Sequence, residues 1–394
     1  MPAKATKSAK SGSGPGRLFP VQEIGSLAKP AWLTRTTKTS KPSKEDVSEA
    51  KRWGSRLEVP GLTGLLSTLS SADPSAKRGE IRDFASVFGI RLQEAAGLDI
   101  VYDGEQKRVE MYEAAVRHID GFEFLGHVRS FDNKYYRKAA VKSKVGLKTP
   151  FHDDEYEFVK KNTKKWVKVP ITGPYTLADW SFNEHYLKKR RGQGSLRSSS
   201  LAAKRDFILD LAKDAVLPTI KSLEKLGADF IQIDEPAAAT RPEEVGLFVE
   251  GINAAVEGVD AKVSVHICFS EYRSLFPTLL EMKHVSQFTW EFANRDDDKL
   301  GVKRDARPGY EALHLFSEYG DKREIGLGVT NVHVDRKESA ELVRDRVLYA
   351  AELLGPERIY VNPDCGLRTR TWDVAFEKMR VCAEGAALAR KGLE

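Results

Sequence analysis

Asp229-Phe230-Ile231-Gln232-Ile233-Asp234-Glu235-Pro236 is the stretch on which the fold turns. Its apolar run is too short for a helix and stops on two carboxylates and a proline, as a buried strand does when its C-terminal end carries polar groups. Just upstream, Phe207, Leu211, Ala215, Ile220 and Leu223 recur at helical spacing. The same alternation repeats along the chain. Short runs rich in Val, Ile or Phe predict strands at 21–26, 98–103, 166–171, 229–234, 262–268, 286–292, 324–329 and 358–362, with helix-period segments between them. Before the last of these, Leu342, Val343, Val347, Ala350 and Leu353 share one helix face. Eight strand–helix units predict an α/β fold, a single (β/α)8 TIM barrel over residues 18–394. No Gly-rich phosphate turn opens a helix, which argues against a doubly wound open sheet.

A barrel of this kind places functional groups at the C-terminal strand ends. The polar motifs fall there in order: Ile24-Gly25-Ser26, Asp103-Gly104-Glu105, Thr172-Gly173-Pro174, Asp234-Glu235-Pro236, His266 with Cys268, Glu291, Asn331 with His333, and Asn362-Pro363-Asp364-Cys365-Gly366. The remaining composition sets bounds. With 394 residues, 41% hydrophobic, the chain has material for one large core, and no apolar run reaches the length of a membrane span. Residues 1–17 are Lys, Ser and Gly without an apolar centre and are expected to be a flexible basic tail. The net charge of +6 gathers in that tail and in two long polar segments, 131–165 and 182–205, expected as basic loop insertions. Aromatic residues do not interleave with the basic run Lys188-Lys189-Arg190-Arg191, so a nucleic-acid partner is not expected. Three cysteines make no disulfide framework and point to a reducing, cytoplasmic compartment.

The cysteines divide by position. In Val265-His266-Ile267-Cys268 an imidazole and a thiol lie two residues apart on a strand and so share a face. Cys365 sits in the turn after the eighth strand and Glu291 ends the sixth. Two thiolates, one imidazole and one carboxylate form a tetrahedral set suited to Zn²⁺. The competing reading makes these cysteines small core hydrophobes, and that is the reading for Cys382, which shares a helix face with Met379 and Ala386. A dithiolate zinc site is electron-rich and suits holding a further sulfur as a thiolate, so the chemistry expected is alkyl transfer to a thiol.

Taken in order, Ile24-Gly25-Ser26, Gly104-Glu105 with Arg108 and Glu113, Thr172-Gly173-Pro174 with Trp180, Gln232 to Ala237, His266-x-Cys268, Glu291, His333 and Asn362-Pro363-Asp364-Cys365-Gly366-Leu367 resemble the C-terminal catalytic domain of the cobalamin-independent methionine synthase family. The resemblance implies a zinc-dependent methyltransferase acting on homocysteine, with zinc held by His266, Cys268, Glu291 and Cys365 and with Glu291 the ligand that yields to the substrate sulfur. It implies that Asp234 and Glu113 grip the ammonium, that Ile24, Gly25 and Ser26 meet the carboxylate, that His333 relays a proton, and that Trp180 stands where a pterin packs. Asp234 could instead cap the helix that follows it. Asn331 departs from the family's aspartate before the relay histidine. The chain resembles the short "core" form without an N-terminal half, which implies methylcobalamin or a corrinoid protein as methyl donor ahead of methyltetrahydrofolate. Two other readings stand beside it: a corrinoid-dependent enzyme methylating another thiol such as coenzyme M, and a non-catalytic barrel that binds protein or nucleic acid through its basic loops.

Overall fold

Ten strands carry the frame among the described residues, 15–38, 40–129 and 135–393 of a computed structural model. They are β1 (Ile100–Val101), β2 (Ile119–Arg129), β3 (Tyr135–Leu147), β4 (Trp166–Val167), β5 (Val169–Thr172), β6 (Phe230–Asp234), β7 (Lys262–Ile267), β8 (Gln287–Trp290), β9 (Glu324–Gly328) and β10 (Ile359–Asn362). Strands β5 to β10 form one parallel ladder in chain order. Parallel neighbours need a long return, and helices supply it: Leu196–Leu211 and Leu217–Lys225 before β6, Val245–Ala255 before β7, Ala340–Leu354 before β10. With helices covering the outer face, β6 is buried along its whole length, hence the unbroken run Phe230-Ile231-Gln232-Ile233.

The ladder extends at both edges. β4, one residue ahead of β5, pairs in parallel with β1. Val21 bridges Val361 on β10, and Gln22 bridges Ile100 on β1. Inward-facing polar side chains also meet across the interior. Gln22 Nε2 donates to Gln287 Oε1 and to Asn362 Oδ1, both at 3.1 Å, and Lys168 Nζ donates to Gln232 Oε1 at 2.6 Å. All of these are buried, and each donor has an acceptor.

The structure departs from the sequence expectation in three places. The first strand, expected over 21–26, is reduced to isolated bridges, because the Ile24 carbonyl accepts the Gln232 amide (2.6 Å) in place of a ladder N–H and the chain bends away. The two basic insertions are not loops. Residues 135–147 form β3 of an antiparallel hairpin with β2, Asp153–Asn162 is a helix, and Glu184–Arg190 and Leu196–Leu211 are helices; residues 131–134 lie outside the described residues. Their basic side chains lie largely on outer faces, while Ala139, Ala140, Val141, Phe207 and Leu211 are buried beneath. Of the expected tail, residues 1–14 lie outside the described residues, and Arg17 is tied to Asp99 by an ion pair. No helix among the described residues is long and apolar enough to cross a membrane.

Candidate active site and metal centre

The site is built from strand ends. His266 points inward from β7 and Cys268 follows one residue past its end, so period-two geometry sets both on one side. Cys365 lies in the turn after β10. The ligating atoms of these three residues lie within 4.8 Å of one another. The imidazole is oriented from behind: His266 Nδ1 lies 2.9 Å from the Thr289 carbonyl, which can only accept, so Nδ1 carries the proton. Its Nε2 then faces Cys365 Sγ at 3.4 Å. Two thiols this close oppose each other's ionisation. The hydrogen bond with Cys268, then burial, pushes the Cys365 thiol well above its ordinary range. A divalent cation at this point removes that penalty, and an S₂N donor set fits Zn²⁺ better than Mg²⁺ or Ca²⁺.

Glu291 stands beside this cluster and is not one of its three close donors. Its Oε2 accepts from the Phe269 N–H and from Asn294 Nδ2, both at 3.0 Å. Its Oε1 is buried without a hydrogen bond, 3.6 Å from His333 Nε2. That orphan oxygen is the feature expected of a carboxylate with a further partner to meet. His333 lines the cavity, its ring 4.8 Å from that of Phe269. The Asn331 side chain accepts the His333 backbone N–H (2.9 Å) and so shapes the turn.

Above the thiols opens a cavity of about 150 Å³, whose lining includes Ile24, Gly25, Ser26, Asp234, Trp180 and His333. Asp234 accepts from Gln232 Nε2 at 2.7 Å, and burial raises its carboxyl to about 6. Asp234 does not cap a helix. That role falls to Glu235, which accepts the Tyr175 and Thr176 N–H groups at the start of helix Pro174–Asp179. Gly173 has no side chain because a Cβ there would lie 2.2 Å from the Glu235 carboxylate. Trp180 ends the same helix and stacks on Tyr136 of β3, centroids 5.1 Å apart. The hairpin thus supplies a wall that the sequence reading had placed in a loop.

Glu113 is a correction. It lies in the first turn of helix Met111–Val116, turned toward Arg117 and toward Arg137 of β3, and it does not line the cavity. The carboxylate that does is Glu105. Gly104 and Glu105 both adopt positive φ (67° and 58°), the turn held by the Glu105 N–H donating to Asp103 Oδ1 at 2.7 Å. Asp103-Gly104-Glu105 was visible as a strand end; what was missed is that the turn, and not the helix after it, reaches inward. Cys382 is fully buried on helix Trp372–Lys391, apart from the site, as expected of a core residue.

A family model described as "Cobalamin-independent synthase, Catalytic domain" matches residues 75–388. The methionine synthase of Pyrococcus furiosus is 37% identical over 381 residues, which cover 96% of this chain and 94% of that protein. The chain belongs to the cobalamin-independent synthase family. That membership makes it an enzyme, a methyltransferase. The methionine synthase of Thermoplasma volcanium is 40% identical over 311 residues, 76% of this chain and 87% of that one. A solved B12-independent methionine synthase from Shewanella sp. W3-18-1, in complex with selenomethionine, shares the fold with a TM-score of 0.72 at 22% identity, covering 96% of this chain and 99% of that one. The expectation of a methylcobalamin or corrinoid donor is corrected here. The family whose model matches is described as cobalamin-independent.

Proposed function

We propose that this enzyme transfers the methyl group of methyltetrahydrofolate to the thiol of homocysteine, giving methionine, and that His266, Cys268 and Cys365 would hold zinc, with the Glu291 carboxylate beside them as a further donor. The observation that carries the reading is the convergence of those three donors at one end of a cavity that also presents Asp234 and Glu105. We read the frame, residues 18–394, as a closed (β/α)8 barrel, supported by the bridges of Val21 and Gln22 to the two ladder edges and by the polar contacts across the interior.

Zinc in such a site supplies a thiolate at neutral pH. The chain's own residues do the rest. Asp234 and Glu105 attract the ammonium of the amino acid in a partly dehydrated cavity, where such pairs are charge-assisted. Ile24, Gly25 and Ser26 meet its carboxylate. Trp180, stacked on Tyr136, offers a flat face to a pterin. A methyl on a tertiary amine leaves only when that nitrogen is protonated, and His333 holds the proton, with Glu291 3.6 Å from its Nε2. Thiol ligands must stay reduced, which fits a cytoplasmic setting.

The test is direct. Zinc-loaded protein with L-homocysteine and methyltetrahydrofolate should form methionine, and a chelator should abolish it. Absence of methionine under those conditions, with methylcobalamin alone sustaining turnover, would overturn the donor.

A further inference from the structure

One charge on the cavity lining is unused by the reaction as described. Among the described lining residues Arg368 is the one arginine or lysine, on a wall that also carries the carboxylates Glu105, Glu110 and Asp234. It lies half-buried in the turn after β10, three residues beyond Cys365. Its side chain makes no ion pair or hydrogen bond within the described residues. Glu110 Oε2 accepts the Tyr112 and Glu113 N–H groups (2.9 and 3.1 Å), and Glu105 Oε1 accepts from Arg108 at 3.4 Å. The nearby ammonium of Lys29 is bound to the Glu105 carbonyl at 2.7 Å.

The turn also sits against the strip that meets the substrate. Leu367 bridges Leu27, and a Cβ on Gly366 would lie 2.9 Å from Ser26 Oγ. A half-buried guanidinium with no direct partner has given up water for only a through-space attraction to Glu110. The ligand that repays this is a planar anion matched to the guanidinium fork. Burial raises the Glu110 carboxyl while the charge on Arg368 opposes the rise, so the two groups feel each other in this pocket.

We infer that Arg368 is a carboxylate-binding residue of the cavity, adding a cation either to the α-carboxylate of the amino-acid acceptor beside Ile24, Gly25 and Ser26 or to a glutamate carboxylate of the folate donor. This rests on the proposed methyl transfer, so the test reads binding separately from turnover. Calorimetry on the zinc-loaded full chain compares wild type, Arg368→Gln and Arg368→Lys. The ligands are L-homocysteine, 3-amino-1-propanethiol (which lacks the carboxylate), and methyltetrahydrofolate with one or three glutamates. The Gln variant should bind the ligand whose carboxylate it holds about 10- to 100-fold more weakly, the size of one lost charge-assisted bond. Lysine should recover part of the loss, and zinc content should not change. Loss confined to L-homocysteine assigns the α-carboxylate, and loss confined to the folates assigns the glutamate. Unchanged affinity for both, loss accompanied by loss of zinc, or loss of the carboxylate-free thiol equal to that of homocysteine would overturn the inference. Failure of wild type to form methionine would reject the proposed function and leave this binding test standing.

Discussion

Gly328, at the end of β9, is where a single methyl group should do most damage. Asp364, one residue before Cys365, reaches across to the turn after Glu291. Its Oδ1 accepts the N–H groups of Phe292 and Ala293, both at 2.9 Å, and its Oδ2 accepts that of Asn294 at 2.7 Å. One carboxylate thus pins the strand end carrying Glu291 to the one carrying Cys365. A Cβ on Gly328 would lie 2.2 Å from Asp364 Oδ1 and 2.8 Å from the Trp290 carbonyl. Ordinary contact begins near 3.4 Å, so the carboxylate oxygen must retreat by roughly 1 Å. The two 2.9 Å bonds then stretch to about 4 Å, beyond hydrogen-bond range. Each buried N–H left without its acceptor costs about 1–3 kcal/mol, so Gly328→Ala should cost roughly 2–6 kcal/mol. Urea unfolding followed by circular dichroism reads the stability, and competition with a chromophoric chelator reads zinc affinity, which should fall as Cys365 and Glu291 lose their common anchor. Gly64→Ala in helix Leu62–Ser70, where a Cβ meets nothing within 4 Å, is the control and should be neutral or slightly stabilising. A Gly328→Ala protein within about 1 kcal/mol of wild type, with its zinc affinity intact, would refute the pinning role of Asp364.

Three further outcomes are expected. Cys268→Ser and Cys365→Ser should lose zinc by metal analysis, whereas Cys382→Ser, buried beside the Thr330 hydroxyl, should keep it and lose only stability, about 1 kcal/mol. Asp234→Asn and Glu105→Gln should weaken homocysteine binding by about 100-fold or more with zinc retained, as removal of one partner of a buried charge pair does, while Glu113→Gln should leave it within a few-fold. The third concerns acid. Burial opposes ionisation of Glu155, but Arg108 and His152 overcome it and hold the carboxyl well below the ordinary carboxylate range. A depressed acid stabilises the fold above its ordinary pKa, and that contribution is lost as pH falls. Urea midpoints of wild type should therefore drop steadily below about pH 4.5, and Glu155→Gln should start lower at neutral pH and show a shallower acid limb; parallel limbs would count against the pair.

How much of this was legible beforehand follows from the range of the forces involved. The parallel strand order, the strand ends that carry polar groups, and the shared face of His266 and Cys268 are consequences of local periodicity, which neighbouring residues write directly into the chain. Cys365 was readable for the same reason, as a thiol in a turn just past a buried strand. Glu105 and Glu113 were not separable, because both follow the second strand and only packing decides which carboxylate faces inward. The positive φ of Gly104 and Glu105 turns one into the cavity, and Arg117 and Arg137 draw the other away. The basic segments misled for a related reason. Counting charge sees Lys142 and Lys144 on the outer face of β3 but not that Val141 and Val145, alternating with them, are buried. The position of Glu291, with one oxygen fixed by Phe269 and Asn294 and the other left open, comes from residues on a neighbouring strand end and in its own turn. Local sequence determines which side chains can reach the mouth; contacts between strands far apart in the chain determine which of them face it, because hydrogen bonds and burial act on whatever the fold has brought near.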